Sequence, residues 1–424
     1  MAGGSGAFSS LWERWSGGVW RRPDFRALFA AQSGSVFGTL ISRTAIPFAA
    51  IIELGANPIQ LSILGACTSA PAFGLGLFAG AWVDRLPRKP IMIACDMIRA
   101  ALLMIVPLLW VIDRLSMPAL YVIVALMSVF SVVFDTAYRS ILPSIVPADE
   151  LLDGNSRLTG SSSVAEAASF SLGGWLVQWL TAPFAVAIDA VTFLWSAHWL
   201  KRIKLEERAR PREEHAPILT EIRDGLRLVW HHPNLRALAV YSTGMELAFG
   251  LYGAIFLLFV VRELGFEPGV LGVIFALGGL GAIAGAAIAG RVTSALGFRR
   301  TIIVMTILMA VGQGSVTFAT GLTIGAVAIL VAQQFLVDGP YTIVDINAAT
   351  LRQLAANEEW QGRINSSARV MEFGGGLIGT LAGGLLAEAI GLRPVLILAS
   401  VIIVLNGFVV SRLTEPAGDD VVVN

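Results

Sequence analysis

The sequence predicts an all-α integral membrane protein with twelve transmembrane helices in two pseudo-symmetric halves of six. Three observations carry that reading. Of the 424 residues, 55% are hydrophobic and 14% charged, with a mean hydropathy of +0.73, whereas soluble domains average about 25% charged. The apolar residues fall into runs long enough to cross a bilayer, which takes about 20 residues per helix. The chain also repeats at an offset of 210 residues: Gly80 matches Gly290, Asp135 matches Asp345, Asn155-Ser156 matches Asn365-Ser366, and Gly173-Gly174 matches Gly383-Gly384. A repeat of half the chain length in one orientation implies two six-span halves.

Residues 1–26 lack the uninterrupted apolar core of a cleaved signal peptide. Their Trp12, Trp15 and Trp20, interleaved with Arg14, Arg21 and Arg22, read as a cytoplasmic segment at the membrane interface. A first six-helix bundle occupies 27–200, with spans near 27–52, 59–83, 91–112, 118–141, 158–180 and 184–200. Residues 201–236 form a cytoplasmic linker that ends in an amphipathic helix, because Ile218, Ile222, Leu226 and Val229 recur at helical spacing among charges. The second bundle, 237–411, has spans near 238–261, 270–290, 301–319, 324–345, 367–390 and 394–411, and a cytoplasmic tail covers 412–424. With the N-terminus inside, 23 of the 30 Lys and Arg lie in inner loops and tails, three in outer loops and four within spans. That bias places both termini in the cytoplasm. Cys67 and Cys95 sit in apolar runs and imply no disulfide framework.

Between spans two and three lies Gly80-Ala81-Trp82-Val83-Asp84-Arg85-Leu86-Pro87-Arg88-Lys89-Pro90. The basic residues hold the turn in the cytoplasm, and Asp84 precedes them as a counter-charge. This stretch resembles the signature loop of the major facilitator superfamily, Gly-x-x-x-Asp-Arg-x-Gly-Arg-Arg/Lys, with Pro87 in place of the second glycine. Further stretches resemble the family's branch of multidrug, macrolide and enterobactin-type siderophore exporters: Phe134 to Pro143, Leu151 to Asn155 and Glu221 to Pro233. Two features of drug antiporters are missing. Span five reads Ser169-Phe170-Ser171-Leu172-Gly173-Gly174 rather than Gly-Pro-x-x-Gly-Gly, and the usual arginine motif of span four is not recognisable.

Ionisable residues inside spans cost about 2.5–3.5 kcal/mol each on insertion scales and are functional candidates. The resemblance implies that spans one, four, seven and ten line a central cavity. Glu246, about nine residues into span seven, is the leading proton-coupling candidate, followed by Glu166, Asp338 and Glu372. Burial favours the protonated form of such a carboxyl. Glu166 and Glu372 are each expected either to bind a cation or to pair with Arg369 or Arg139. Arg43, Phe37, Phe249, Tyr252 and Tyr341 are candidates for the substrate cavity. A gating set comprises Gly80, Asp84, Arg85, Arg88 and Lys89 of the loop, with Asp135, Arg139, Asp345, Arg352 and Arg363 at inner span ends. The resemblance implies that the acid of the loop, here Asp84, contacts the start of span eleven, where Arg363 and Asn365 lie. Asp96 and Arg99 share a face of span three and are expected to pair, and Asp189 is expected near the outer end of span six in a structural role.

The reading is a secondary active transporter of the cell (inner or plasma) membrane, a proton-coupled exporter of drugs, siderophores or similar amphipathic molecules working by alternating access. An importer or lysophospholipid transporter of the same fold, and a non-transporting receptor or scaffold, are the alternatives. Nothing points to an enzyme. The four histidines form no metal site, there is no Gly-x-x-x-x-Gly-Lys-Ser/Thr loop for ATP, and the basic residues follow membrane topology rather than a nucleic-acid surface. Partners are therefore the small-molecule substrate, protons and membrane lipid, with no cofactor, for a monomeric chain.

Overall fold

The computed structural model describes residues 18–83, 86–204, 218–355, 358–411 and 413. Asp84 and Arg85, the tryptophans and arginine at 12–15, much of the linker and nearly all of the tail lie outside them, as do the surroundings of Gly80 and the side chain of Arg363. Among the described residues there are thirteen α-helices: α1 Pro23–Phe48, α2 Pro58–Val83, α3 Arg88–Val111, α4 Met117–Ile145, α5 Leu151–Leu180, α6 Ala182–Arg202, α7 Ile218–His231, α8 Pro233–Leu258, α9 Pro268–Leu296, α10 Phe298–Ser315, α11 Ile324–Leu354, α12 Glu358–Ile390 and α13 Leu392–Val410. Ten of the helical segments are long and apolar enough to cross a membrane. The chain is an all-helical, multi-pass membrane protein.

The start and stop signals are local. Proline stands in the first turn of α1, α4, α6, α8 and α9, where its missing N–H costs nothing. Both α1 and α8 finish in a π-helical turn, Ala49–Glu53 and Phe259–Glu263. Each turn runs into a glycine with positive φ, Gly55 at 60° and Gly265 at 78°. The 210-residue offset thus extends from sequence identities to helix starts, π-turns and reversals.

Contacts divide the chain into two units, one of Met1–Ala49 with Gly74–Glu213 and one of Ala50–Phe73 with Glu214–Asn424. The division falls within the 201–236 linker. It assigns the first half of α2 to the second unit. The cause is a close crossing onto α12: a Cβ at Gly384 would sit 2.1 Å from Ser62 Oγ and 2.7 Å from the Pro58 carbonyl oxygen, and one at Gly65 would sit 3.0 Å from Thr380. In the first unit α1 packs on α5 and α6, and α3 packs on α4 and α6. In the second, α8 packs on α12 and α13, α10 on α11 and α13, and α9 on α11.

Each unit has its own core. Phe25, Leu28, Met92, Phe134, Ile141 and Leu200 are buried in the first, and Tyr241, Met245, Ile302, Met309, Ile343 and Ile403 in the second. Outward, Leu108, Val122, Ile283 and Phe408 are all more than half exposed, as expected of helices facing hydrocarbon. Apolar burial does little to drive helices together in lipid, so close backbone approach matters more. The α8–α12 crossing shows it: a Cβ at Gly379 would lie 2.0 Å from the Leu247 carbonyl oxygen, and one at Gly250 would lie 2.3 Å from that of Gly376.

The amphipathic helix α7 lies against α12. Val229 is buried there with Leu235, Ala239 and Ile364, while Arg223, Arg227 and Trp230 are exposed.

Candidate functional site

The second unit gathers ionisable residues around the middle of α8, the C-terminal part of α11 and the N-terminal half of α12. Glu246 is half-buried in the middle of α8, on the face turned to the glycines of α12. A Cβ at Gly376 would lie 3.7 Å from Glu246 Oε2, and one at Gly375 would lie 2.5 Å from the Thr243 carbonyl oxygen. Because Gly375 and Gly376 have no side chains, the α8 backbone can approach α12 and bring its carboxyl to that helix. One turn before Gly376 stands Glu372. Arg352, on α11, donates from Nη1 to Glu372 Oε1 at 3.5 Å. Glu246 lies within the electrostatic reach of Glu372 and has no ion pair of its own among the described residues. Two acids therefore sit together and one of them holds the cation.

Tyr341 and Phe249 complete this group. Their rings meet edge to face at 5.5 Å, and the Tyr341 hydroxyl lies within the electrostatic reach of Glu246, Asp345, Glu372 and Arg352. Between α11 and α12 a cavity of about 430 Å³ is lined by Asp345, Arg352, Gln361, Asn365, Arg369 and Glu372. That volume is within the range of small-molecule sites, roughly 300–1,000 Å³. Two cations and two acids line its wall, with amides between them. Such a wall suits a polar or zwitterionic group, while the Phe249–Tyr341 pair offers an apolar surface nearby.

The structure alters several sequence expectations. Glu372 pairs with Arg352 across the helix interface rather than with Arg369 on its own helix, and Arg369 is exposed without an ion pair among the described residues. Tyr252 is buried, its ring stacked on Phe256 at 4.9 Å and its hydroxyl without a hydrogen bond, so it forms part of the helix packing rather than an open wall. Asp338 is set apart from the cavity, against α9, where a Cβ at Gly278 would lie 2.0 Å from Asp338 Oδ2. In the first unit Arg43 and Glu166 are exposed, Phe37 is half-buried, and neither charge has an ion pair among the described residues. Asp135 and Arg139 are exposed one turn apart without a salt bridge; Arg139 and Arg99 are the cations within electrostatic reach of Asp135.

The described part of the signature loop acts on helix ends. Arg88 Nη1 donates to the Ser140 carbonyl oxygen at 2.6 Å and to Ser144 Oγ at 3.2 Å, and Lys89 donates to the Ile203 carbonyl oxygen. Lys89 thus meets a carbonyl that α6 leaves open just past its end, and Arg88 sits over the last turns of α4, where the helix dipole favours a cation. Sequence reading missed this role because the spacing of the loop does not reveal which helix ends surround it. It also missed Gln353 and Gln361 of the cavity wall, since amides near span ends carry no distinctive pattern.

The model of the Major Facilitator Superfamily matches residues 28–380 and 245–422. An uncharacterized MFS-type transporter of Bacillus subtilis (strain 168), YfiS, is 26% identical over 398 residues, covering 90% of this chain and 91% of its own. The multidrug efflux pump Tap of Mycolicibacterium fortuitum is 26% identical over 401 residues, covering 92% of this chain and 95% of its own. Among solved structures, a bacterial homologue of the iron transporter ferroportin in its inward-facing state superposes with a TM-score of 0.75 at 16% identity, over 92% of this chain and 98% of that one. The nucleoside transporter NupG superposes with a TM-score of 0.71 at 11% identity, over 92% of this chain and 98% of that one.

Proposed function

Because the chain belongs to the Major Facilitator Superfamily, a family of transporters rather than enzymes, we propose that it is a proton-coupled exporter of amphipathic small molecules such as drugs or siderophores. In this reading it has twelve spans in two six-helix halves, sits in the cell membrane with both termini in the cytoplasm, and works as a monomer by alternating access. The observation that carries the reading is Glu246, a half-buried acid beside the Arg352–Glu372 pair and without a counter-ion of its own among the described residues. An acid so placed takes up a proton readily when the surroundings close and loses it when water or a competing cation arrives. The similarity to Tap, a multidrug efflux pump, over nearly the whole chain supports the direction and the cargo class.

The test is efflux from liposomes holding purified protein, with and without an imposed pH gradient, using fluorescent drugs and a catecholate siderophore as cargo. The expected result is gradient-driven movement that Glu246→Gln abolishes. Movement indifferent to the gradient would overturn proton coupling, and a wild type that moves none of these cargoes would overturn the cargo class.

A further inference from the structure

A second set of buried charges lies in the first unit, apart from the site just described. Asp96 and Arg99 on α3 and Asp189 on α6 are all nearly or fully inaccessible. Arg99 donates from Nη2 to Asp96 Oδ1. Its guanidinium carbon stands 4.2 Å from the ring centroids of both Phe134 and Phe193, so aromatic faces cover the cation on two sides. Asp189 has no ion pair among the described residues. The Thr192 hydroxyl shares its one proton between the Asp189 carbonyl oxygen at 2.8 Å and Oδ1 at 3.1 Å, and Oδ2 has no hydrogen bond. The Ser42 hydroxyl, on α1, faces this carboxyl without meeting hydrogen-bond geometry, as Ser196 does for Asp96. The ionisable groups acting on Asp189 are Arg99 and Asp96 of α3. Neither α1 nor α5, which also pack on α6, contributes one. Asp135 of α4 draws further on Arg99.

The charge count does not close. One guanidinium, already bound to Asp96, serves two buried carboxyls. An unpaired carboxylate in a low-dielectric interior is costly enough that the group takes up a proton instead. The fold itself does not require the ions. The positions 210 residues further on are Thr306, Met309 and Ala399, all buried in the second unit. At the corresponding crossing of α10 and α13 the groups are neutral: a Cβ at Gly407 would lie 3.6 Å from the Thr306 methyl, and the Thr306 hydroxyl bonds that of Tyr241 on α8 at 2.7 Å.

We propose that Asp189 carries an exchangeable proton, which makes the Asp96–Arg99–Asp189 cluster a second protonation site, in the first unit and distinct from Glu246. The site is built to report to α1. A Cβ at Gly38 would lie 2.5 Å from Asp189 Oδ1 and 1.9 Å from Thr192 Oγ1, so α1 rests directly on the carboxyl, and Ser42 lies one turn further along the same face. Releasing the proton leaves Oδ2 charged and without a donor, and the hydroxyl able to reach it is Ser42. The response is a shift of α1, which carries the exposed Arg43 one residue beyond. This role in coupling rests on the proton-driven reading above; the proton itself does not.

The experiment is pH-difference infrared spectroscopy of the purified protein in lipid, following the carbonyl stretch of protonated carboxyl groups. The expected result is a band present in wild type and in Glu246→Gln and lost in Asp189→Asn. Persistence of the full band set in Asp189→Asn overturns the proposal. Should that variant fail to fold, aspartate-specific ¹³C labelling of the wild type decides. A protonated-carboxyl band that shifts with the label is expected, and the absence of any such band throughout the pH range of the folded protein overturns the assignment. In liposomes, Asp189→Asn is expected to shift the pH midpoint of gradient-driven transport, and an unchanged midpoint overturns the link to α1. A wild type with no gradient-driven transport refutes the proton-coupled reading, while the infrared result is decided independently.

Discussion

At the scale of single residues, the Arg352–Glu372 pair governs the electrostatics of the second unit. Its side chains are 18% and 24% exposed, between the surface pairs that contribute about 0–1 kcal/mol and the buried pairs whose disruption costs about 3–5 kcal/mol. Arg352→Gln is expected to destabilise by about 1–2 kcal/mol on that scale, because it leaves Glu372 beside Glu246 with no cation in contact. Thermal unfolding in detergent measures the loss. The double variant Arg352→Gln, Glu372→Gln should recover most of it, and simple additivity would mean the two residues do not act as a pair. The members of this site were legible in the sequence, because Glu246, Asp345, Arg352 and Glu372 interrupt apolar runs. Their pairing was not. Helical spacing relates Glu372 to Arg369 three residues away, whereas the partner lies 20 residues off on a neighbouring helix.

For helices, the decisive variable is which small residues lie at a crossing. Within Gly374-Gly375-Gly376 the sequence offers three equivalent glycines, but a Cβ at Gly375 meets the Thr243 backbone at 2.5 Å and one at Gly374 meets nothing within 4 Å. Gly374→Ala is therefore expected to be neutral or stabilising by about 0.5–1 kcal/mol, through lower chain entropy in the unfolded state. Gly379→Ala, aimed at a carbonyl 2.0 Å away, should cost about 1–3 kcal/mol or more through overpacking. Unfolding midpoints of the two variants measured side by side check the contrast. The starts of the proline-led helices were legible because proline, glycine and apolar run length are local signals. By contrast, α5, α11 and α12 run seven to nine residues beyond the predicted spans into polar turns that hydropathy does not mark. Helix partners were not legible, since a span presents apolar residues on every side and the pattern marks no inward face.

For the whole molecule, the distribution of basic residues fixes an expected topology. A cysteine at Arg300, in the first turn of α10, should react with a membrane-impermeant maleimide from the cytoplasmic side only. Cysteines at Glu263 and Arg393, which form an ion pair at 3.0 Å, should react from the outside only. The reverse pattern would invert the orientation. The repeat at 210 residues was legible from four identities in the sequence. The divergence between the repeats was not: ions fill a crossing of the first unit where neutral groups fill its counterpart, and a chain alone does not tell which residues will meet.

The attachment of the first half of α2 to α12 also has a consequence for synthesis. Ser62 is 1% exposed, and the backbone that covers it includes Gly384. At about 5–20 residues per second, the ribosome delivers that glycine roughly 15–60 s after the serine. Through that interval α2 waits in the bilayer with its small-residue face still uncovered. The helices up to α6 therefore cannot mature as a finished module ahead of the rest, and assembly of the chain closes only when α12 arrives.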